Sequence, residues 1–157
     1  MEELRILSPT AILGYGFPME SFEEGMKRKP HVIAVDAGST DPGPYYLGAG
    51  KSFTDRNSVK RDLEIMIPAA LEQNIPVIIG EFGSVSKIKE DLSTNIDERV
   101  ACATYYISKA KEYGVPCVWW DNGGFIGQGE NFGLLIRNEK TWKFPNLVDA
   151  ITSPYKD

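Results

Sequence analysis

Three carboxylates stand at the ends of short apolar runs: Asp36 after residues 32–35, Glu81 after residues 77–80 and Asp121 after residues 118–120. Carboxylates can act as nucleophiles or pass protons when their surroundings tune them. If the three runs are parallel strands, their carboxyl-terminal ends gather on one edge of a sheet, where α/β proteins bind ligands. Three solvated loop residues are the alternative, and spacing alone leaves both readings open. Asp36 also opens a Gly- and Pro-rich loop, residues 37–56. Its first part, with Asp36, Gly38, Ser39, Thr40 and Asp41, offers backbone amides to an anion or small molecule near the start of the next helix. A structureless loop of this length inside a compact domain is usually functional or mobile.

Alternating strands and helices must position these residues. Residues 4–8 form an apolar run before Pro9, and Ser21 to Glu24 has the spacing of a capping box that opens a short helix ended by Pro30. Residues 31–36 are a second, β-branched strand. Val59, Leu63, Met66, Ile67, Ala70 and Leu71 then repeat with helical period, with Pro68 bending or breaking the last turns. A third strand covers residues 76–80. Ile96, Val100, Ala103, Ile107 and Ala110 share one helical face, with Asn95 as N-cap, Glu98 completing a capping box and Gly114 stopping the helix. A fourth strand, residues 116–120, precedes a short closing helix over residues 146–151. The order is βαβαβαβα.

Strands that are apolar throughout imply a parallel sheet flanked by helices, so the fold class is α/β with consecutive βα units. Right-handed crossovers leave two architectures. One is a flavodoxin-like open sheet in the order 2-1-3-4, which helices can cover on both faces. The other is half of a (βα)8 barrel, completed by dimerisation. The open sheet is expected, because a lone half-barrel exposes its interior.

With 157 residues, 42% hydrophobic and 25% charged, the chain reads as a single domain with one core. A net charge of −5 argues against nucleic-acid and anionic-membrane partners, which need clustered Lys and Arg. The one basic run, Lys27-Arg28-Lys29, suits a helix C-terminus. No stretch approaches the roughly 18 apolar residues of a membrane span. The acidic start, Met1-Glu2-Glu3-Leu4-Arg5, lacks a signal-peptide pattern, which fits cytoplasmic expression without fixing a compartment. Cys102 and Cys117 fall in a helix and a strand, with no His or Cys at metal-ligand spacing, and read as buried free thiols. No cofactor or metal is expected. His31, the single histidine, begins a strand and reads as structural. Gly14-x-Gly16 is followed by Met19 where a dinucleotide fingerprint needs Gly, and reads as a turn.

Motifs add a resemblance. Pro76-Val77-Ile78-Ile79-Gly80-Glu81-Phe82-Gly83, Glu98-Arg99-Val100, Gly114-Val115-Pro116-Cys117-Val118-Trp119-Trp120-Asp121-Asn122-Gly123, Gly129-Glu130-Asn131-Phe132-Gly133-Leu134-Leu135 and Thr141-Trp142 resemble, in order, the end of glycoside hydrolase family 5, the cellulases. The resemblance implies an endo-β-1,4-glucanase relic acting on β-1,4-glucan or its oligosaccharides. It assigns Glu81 the place of the catalytic nucleophile at the end of the seventh barrel strand. Trp120 takes the place of the sugar-stacking residue at the end of the eighth, with Asn122 and Trp119 as further substrate-binding residues. A carboxylate can attack an anomeric carbon, and an indole offers apolar area to the flat face of a pyranose. The family's acid follows an Asn on the fourth strand, and that segment has no counterpart here, so weak or absent activity is expected.

The first part of the chain resembles something else. Arg5-Ile6-Leu7-Ser8-Pro9-Thr10, Gly14-Tyr15-Gly16-Phe17-Pro18 and the run from Val35 through Asp41 to Gly48 are similar to the start of the acyclic terpene utilisation (AtuA-like) proteins. The resemblances meet near Ile75, which implies a chimera: an AtuA-like βαβα segment, residues 1–75, joined to a family 5 segment, residues 76–157. Three functions stay open: a β-glycosidase relic, an inactive chimeric or engineered scaffold that dimerises through an exposed sheet edge, and a binder of small molecules or anions through the Asp36 loop.

Overall fold

A computed structural model describes residues 10–13, 32–40, 62–88, 92–127 and 130–156. Four parallel strands make the main sheet: β1 (Thr10–Leu13), β2 (Val32–Thr40), β3 (Val77–Ser84) and β4 (Cys117–Trp119). Among the described residues there are three α-helices, in chain order α1 (Ile67–Leu71), α2 (Ile96–Tyr113) and α3 (Pro145–Thr152). A π-helical turn, Asp62–Met66, leads into α1. Pro68, expected to bend or break the last turns, instead sits in the first turn of α1, where its missing N–H coincides with the change from π-helical to α-helical bonding.

Strand order is β1-β2-β3-β4. This corrects the expected 2-1-3-4 order and matches the barrel-type alternative. Strands consecutive in the chain are neighbours in the sheet, and right-handed crossovers, the rule for such parallel pairs, put helices on one side of it. On that side Val77, Ile79 and Phe82 of β3 are buried against Leu63, Met66, Ile67 and Ala70 below and Cys102, Tyr106, Ile107 and Ala110 of α2. The other side lacks a helical cover among the described residues. Ile78 is half-buried there and Val118 is 50% exposed. The face that a lone half-barrel would expose is thus the one without helical cover among the described residues.

Boundaries shift in two of the strands. The first described strand is Thr10–Leu13, and the strand expected over residues 4–8 lies outside the described residues; β2 runs to Thr40, so Gly38, Ser39 and Thr40 belong to a strand rather than a loop, and β3 runs past Gly80 to Ser84. Asp41, His31, the residue 21–30 helix, the Gly14-x-Gly16 turn and the rest of the 37–56 loop lie outside the described residues. Asn95 holds the N-cap position of α2 but makes no capping bond. Its side chain instead accepts from Lys87 N at 2.8 Å and donates to Val85 O at 3.0 Å, tying the exit of β3 to the start of α2. Gly114 ends α2 as expected, at φ +65°, the left-handed conformation that glycine adopts without a Cβ clash.

A two-stranded antiparallel hairpin, β5 (Leu135–Ile136) and β6 (Thr141–Trp142), was not anticipated. Its sequence signal is the polar stretch Arg137-Asn138-Glu139-Lys140 between apolar pairs. Leu134 and Phe144, on either side of the hairpin, close a second core with Leu147 of α3 and Ala103 of α2. Both cysteines are free, Cys102 buried and Cys117 half-buried; burial raises the Cys117 thiol pKa, partly offset by a hydrogen bond with Tyr155.

Candidate active site at the carboxyl edge of the sheet

Strict alternation along β3 would carry Glu81 to the same buried face as Val77 and Ile79. A bulge prevents this. Val35 pairs with Ile79 but Asp36 with Glu81, and on the other side Ile79 pairs with Cys117 but Phe82 with Trp119. One extra residue is accommodated at Gly80-Glu81, as bulges beside active sites do to re-aim a side chain. Phe82 thereby takes the buried position and Glu81 is exposed. Phe82 stacks on Tyr106, with ring centroids 5.2 Å apart, and meets Trp119 edge-on at 5.2 Å. Gly83 follows because Phe132 crosses here: a Cβ on residue 83 would lie 3.0 Å from the Phe132 ring.

The two tryptophans separate. Trp119 pairs with Phe82, faces the helices and donates its indole N–H to Phe132 O at 2.9 Å. Trp120 continues the ladder by donating N–H to Phe82 O at 2.9 Å. Next in alternation, it falls on the open face with Glu81 and is 46% exposed.

Asp121 and Asn122 are engaged in holding the loop after β4. Asp121 accepts from Gly123 N at 2.9 Å and Leu135 N at 3.1 Å, with Arg137 Nη2 at 3.6 Å. Asn122 accepts from Gly124 N at 3.0 Å and Phe132 N at 3.2 Å and donates to Glu130 O at 2.7 Å. Both carboxyl oxygens of Asp121, and both ends of the Asn122 amide, thus have backbone partners. Of the three carboxylates, Glu81 stands exposed, Asp121 is tied down, and Asp36 lies in β2 with its Cα paired to that of Glu81. Gly38 lies within β2, and Ser39 and Thr40 pair further along with Gly83 and Ser84.

Arg99, quoted above within the Glu98-Arg99-Val100 motif but given no role there, is a structural element of the site. It is fully buried on α2, donates Nε–H to Ser84 O at 3.1 Å and lies 4.7 Å from the Phe144 ring centroid and 6.0 Å from that of Trp119. Burial pulls its guanidinium down to about 10, partly offset by Cys102, so it stays charged at neutral pH. The signal was a cation three residues after Ile96 on the apolar face of the helix.

The sequence pattern of the cellulase family, glycosyl hydrolase family 5, matches residues 30–125. That span holds Asp36, Glu81, Trp119, Trp120 and Asn122, and it includes Ile75, where the two resemblances meet. Endoglucanase B of Ruminococcus albus is 41% identical over 121 residues, 77% of this chain and 26% of the relative. Among solved structures, a GH5-4 broad specificity endoglucanase from Clostridium cellulovorans superposes with a TM-score of 0.59 at 29% identity, covering 80% of this chain and 36% of that one. A GH5-4 broad specificity endoglucanase from Ruminococcus champanellensis with bound cellotriose gives a TM-score of 0.53 at 34% identity, covering 76% and 34%. The chain therefore spans about a quarter of the length of the sequence relative and about a third of the solved ones.

Proposed function

Because this chain belongs to glycoside hydrolase family 5, the cellulase family, we propose that it carries the nucleophile side of a retaining β-glucanase site, with Glu81 attacking the anomeric carbon and Trp120 bearing the sugar. The observation behind this reading is the bulge at Gly80-Glu81, which brings a carboxylate and an exposed indole onto one open face of the sheet. An attacking carboxylate forms a covalent glycosyl ester that water later hydrolyses. An exposed indole offers a flat apolar surface with little entropy to lose on binding. β-1,4-Glucan oligosaccharides are the substrate class, in keeping with the cellotriose bound by a relative. Trp119 and Asn122 hold the platform in place through their packing and backbone bonds.

The test is hydrolysis of a β-cellobioside with an activated aryl leaving group, which needs little protonation. Turnover that disappears in Glu81→Ala supports the nucleophile, and absence of turnover in both proteins overturns the reading.

A second reading is a scaffold that assembles through its sheet edge. It is favoured by the uncovered face around Val118 and by β4, whose one ladder partner among the described residues is β3. Sedimentation equilibrium separates a dimer from a monomer. The AtuA-like origin of residues 1–75, and with it the chimera and the anion-binding loop, is supported by the opening motifs alone.

A further inference from the structure

We propose that Arg99 is a positioning residue of the Glu81 and Trp120 site: one buried guanidinium holds the exits of β3 and β4 to each other and so sets the nucleophile against the sugar platform. The inference rests on the reading of Glu81 as nucleophile and adds the group that places it relative to Trp120. Arg99 reaches both strands from α2. Its Nε–H donates to Ser84 O at 3.1 Å, three residues beyond Glu81 on β3. The guanidinium carbon lies 6.0 Å from the ring centroid of Trp119, the residue before Trp120, and 4.7 Å from that of Phe144. Phe82, the residue after Glu81, meets the same Trp119 ring edge-on. The chain neighbours of Glu81 and of Trp120 therefore converge on one group.

Stability does not account for a cation at this position. Arg99 is fully buried, and neither Nη1 nor Nη2 has a hydrogen-bond partner among the described residues. Burial lowers its pKa to about 10, with Cys102 opposing. A charge held in the interior costs desolvation, and apolar residues of similar size commonly replace buried charges without loss of stability. What an apolar residue lacks is the geometry of the guanidinium, a planar fork that donates to a carbonyl while its charge lies over an aromatic ring. That combination ties a backbone oxygen of β3 to a side chain of β4. Its effect falls on rate more than on affinity. A displacement of about 1 Å at the reacting atoms can cost on the order of 100-fold in rate, whereas stacking of a sugar needs the exposed face of Trp120 alone.

Arg99→Met and Arg99→Lys in the full chain test the assignment, with 2,4-dinitrophenyl 2-deoxy-2-fluoro-β-cellobioside as the trapping reagent. A Glu81 carboxylate oxygen bonds to the anomeric carbon, the glycosidic C–O bond breaks, and dinitrophenolate leaves with the electron pair. The fluorine slows hydrolysis of the ester, so labelled protein accumulates and peptide mass locates the label.

In Arg99→Met the trapping rate at saturating reagent is expected to fall on the order of 100-fold, while the Kd for cellotriose changes less than about threefold. Its urea midpoint is expected to stay near the native value. Arg99→Lys keeps the charge and a donor but not the planar fork, and an intermediate rate is expected. An Arg99→Met protein that traps at the native rate overturns the assignment. A loss of rate matched by equal losses of affinity and stability also overturns it, because that is the behaviour of a packing residue. Should Arg99→Met fail to fold, Arg99→Lys decides: slowed trapping with native cellotriose affinity supports the proposal, and native trapping or failure to fold overturns it. A native protein that takes no label at Glu81 overturns the reading of the nucleophile, and this inference with it.

Discussion

Trp119 and Trp120 are neighbours in the chain with opposite surroundings. Trp119 meets Phe82 edge-on, lies near the Arg99 guanidinium and donates to Phe132 O, while Trp120 stays 46% exposed on the face of Glu81. Different losses should follow from their removal. Trp119→Ala should cost about 2–4 kcal/mol in urea unfolding, from lost packing and an indole hydrogen bond. Trp120→Ala should change stability by less than about 1 kcal/mol, as for an exposed side chain, yet abolish binding of cellotriose measured by calorimetry. Equal stability losses would mean that both rings are packing residues. The sequence distinguished the two only through the resemblance, because alternation cannot tell which face of a strand is covered.

Among the elements, the exit of β3 is held by a side chain that the sequence presented as a helix cap. Asn95 is 98% removed from solvent, at 2% exposure, and spends its amide on Val85 and Lys87. Asn95→Ala leaves both backbone groups without these partners and is expected to cost about 2–3 kcal/mol, above the roughly 1 kcal/mol of an ordinary N-cap. Chemical denaturation checks the value, and a loss of 1 kcal/mol or less would return Asn95 to a capping role. Local pattern was enough for the body of α2 and for its stop at Gly114, where apolar period and glycine agree. It was not enough for the side chain of Asn95, whose partners come from a loop eight to ten residues upstream. The bulge at Gly80-Glu81 escaped for a related reason: register belongs to strand pairs, and a single strand does not contain it.

At the scale of the whole molecule, one face of the sheet is covered by helices and the other has no helical cover among the described residues. Ile78 and Ile79 are adjacent, equal in type and opposite in exposure, Ile79 being fully buried and Ile78 half-buried. Ile79→Ala should cost about 3–5 kcal/mol, the range for emptying a core site, and Ile78→Ala about 1 kcal/mol or less. Comparable losses at the two positions would indicate a sheet covered on both faces. This asymmetry is the physical content of the sequential strand order, and it agrees with the superposition on family 5 endoglucanases over about a third of their length.

The amino-acid sequence by itself determined the α/β class, the positions of β3, α2 and β4, the family of the segment around Glu81 and the free state of both cysteines, since these depend on local period, turn residues and motif order. Tertiary structure alone decided the order of the strands, the exposure of Glu81, the opposite faces of Trp119 and Trp120, and the pairing of Asp36 with Glu81. Each of these is a relation between segments far apart in the chain. The apolar runs that make four strands are alike in composition, so nothing within any one of them specifies which neighbour it takes or in what register.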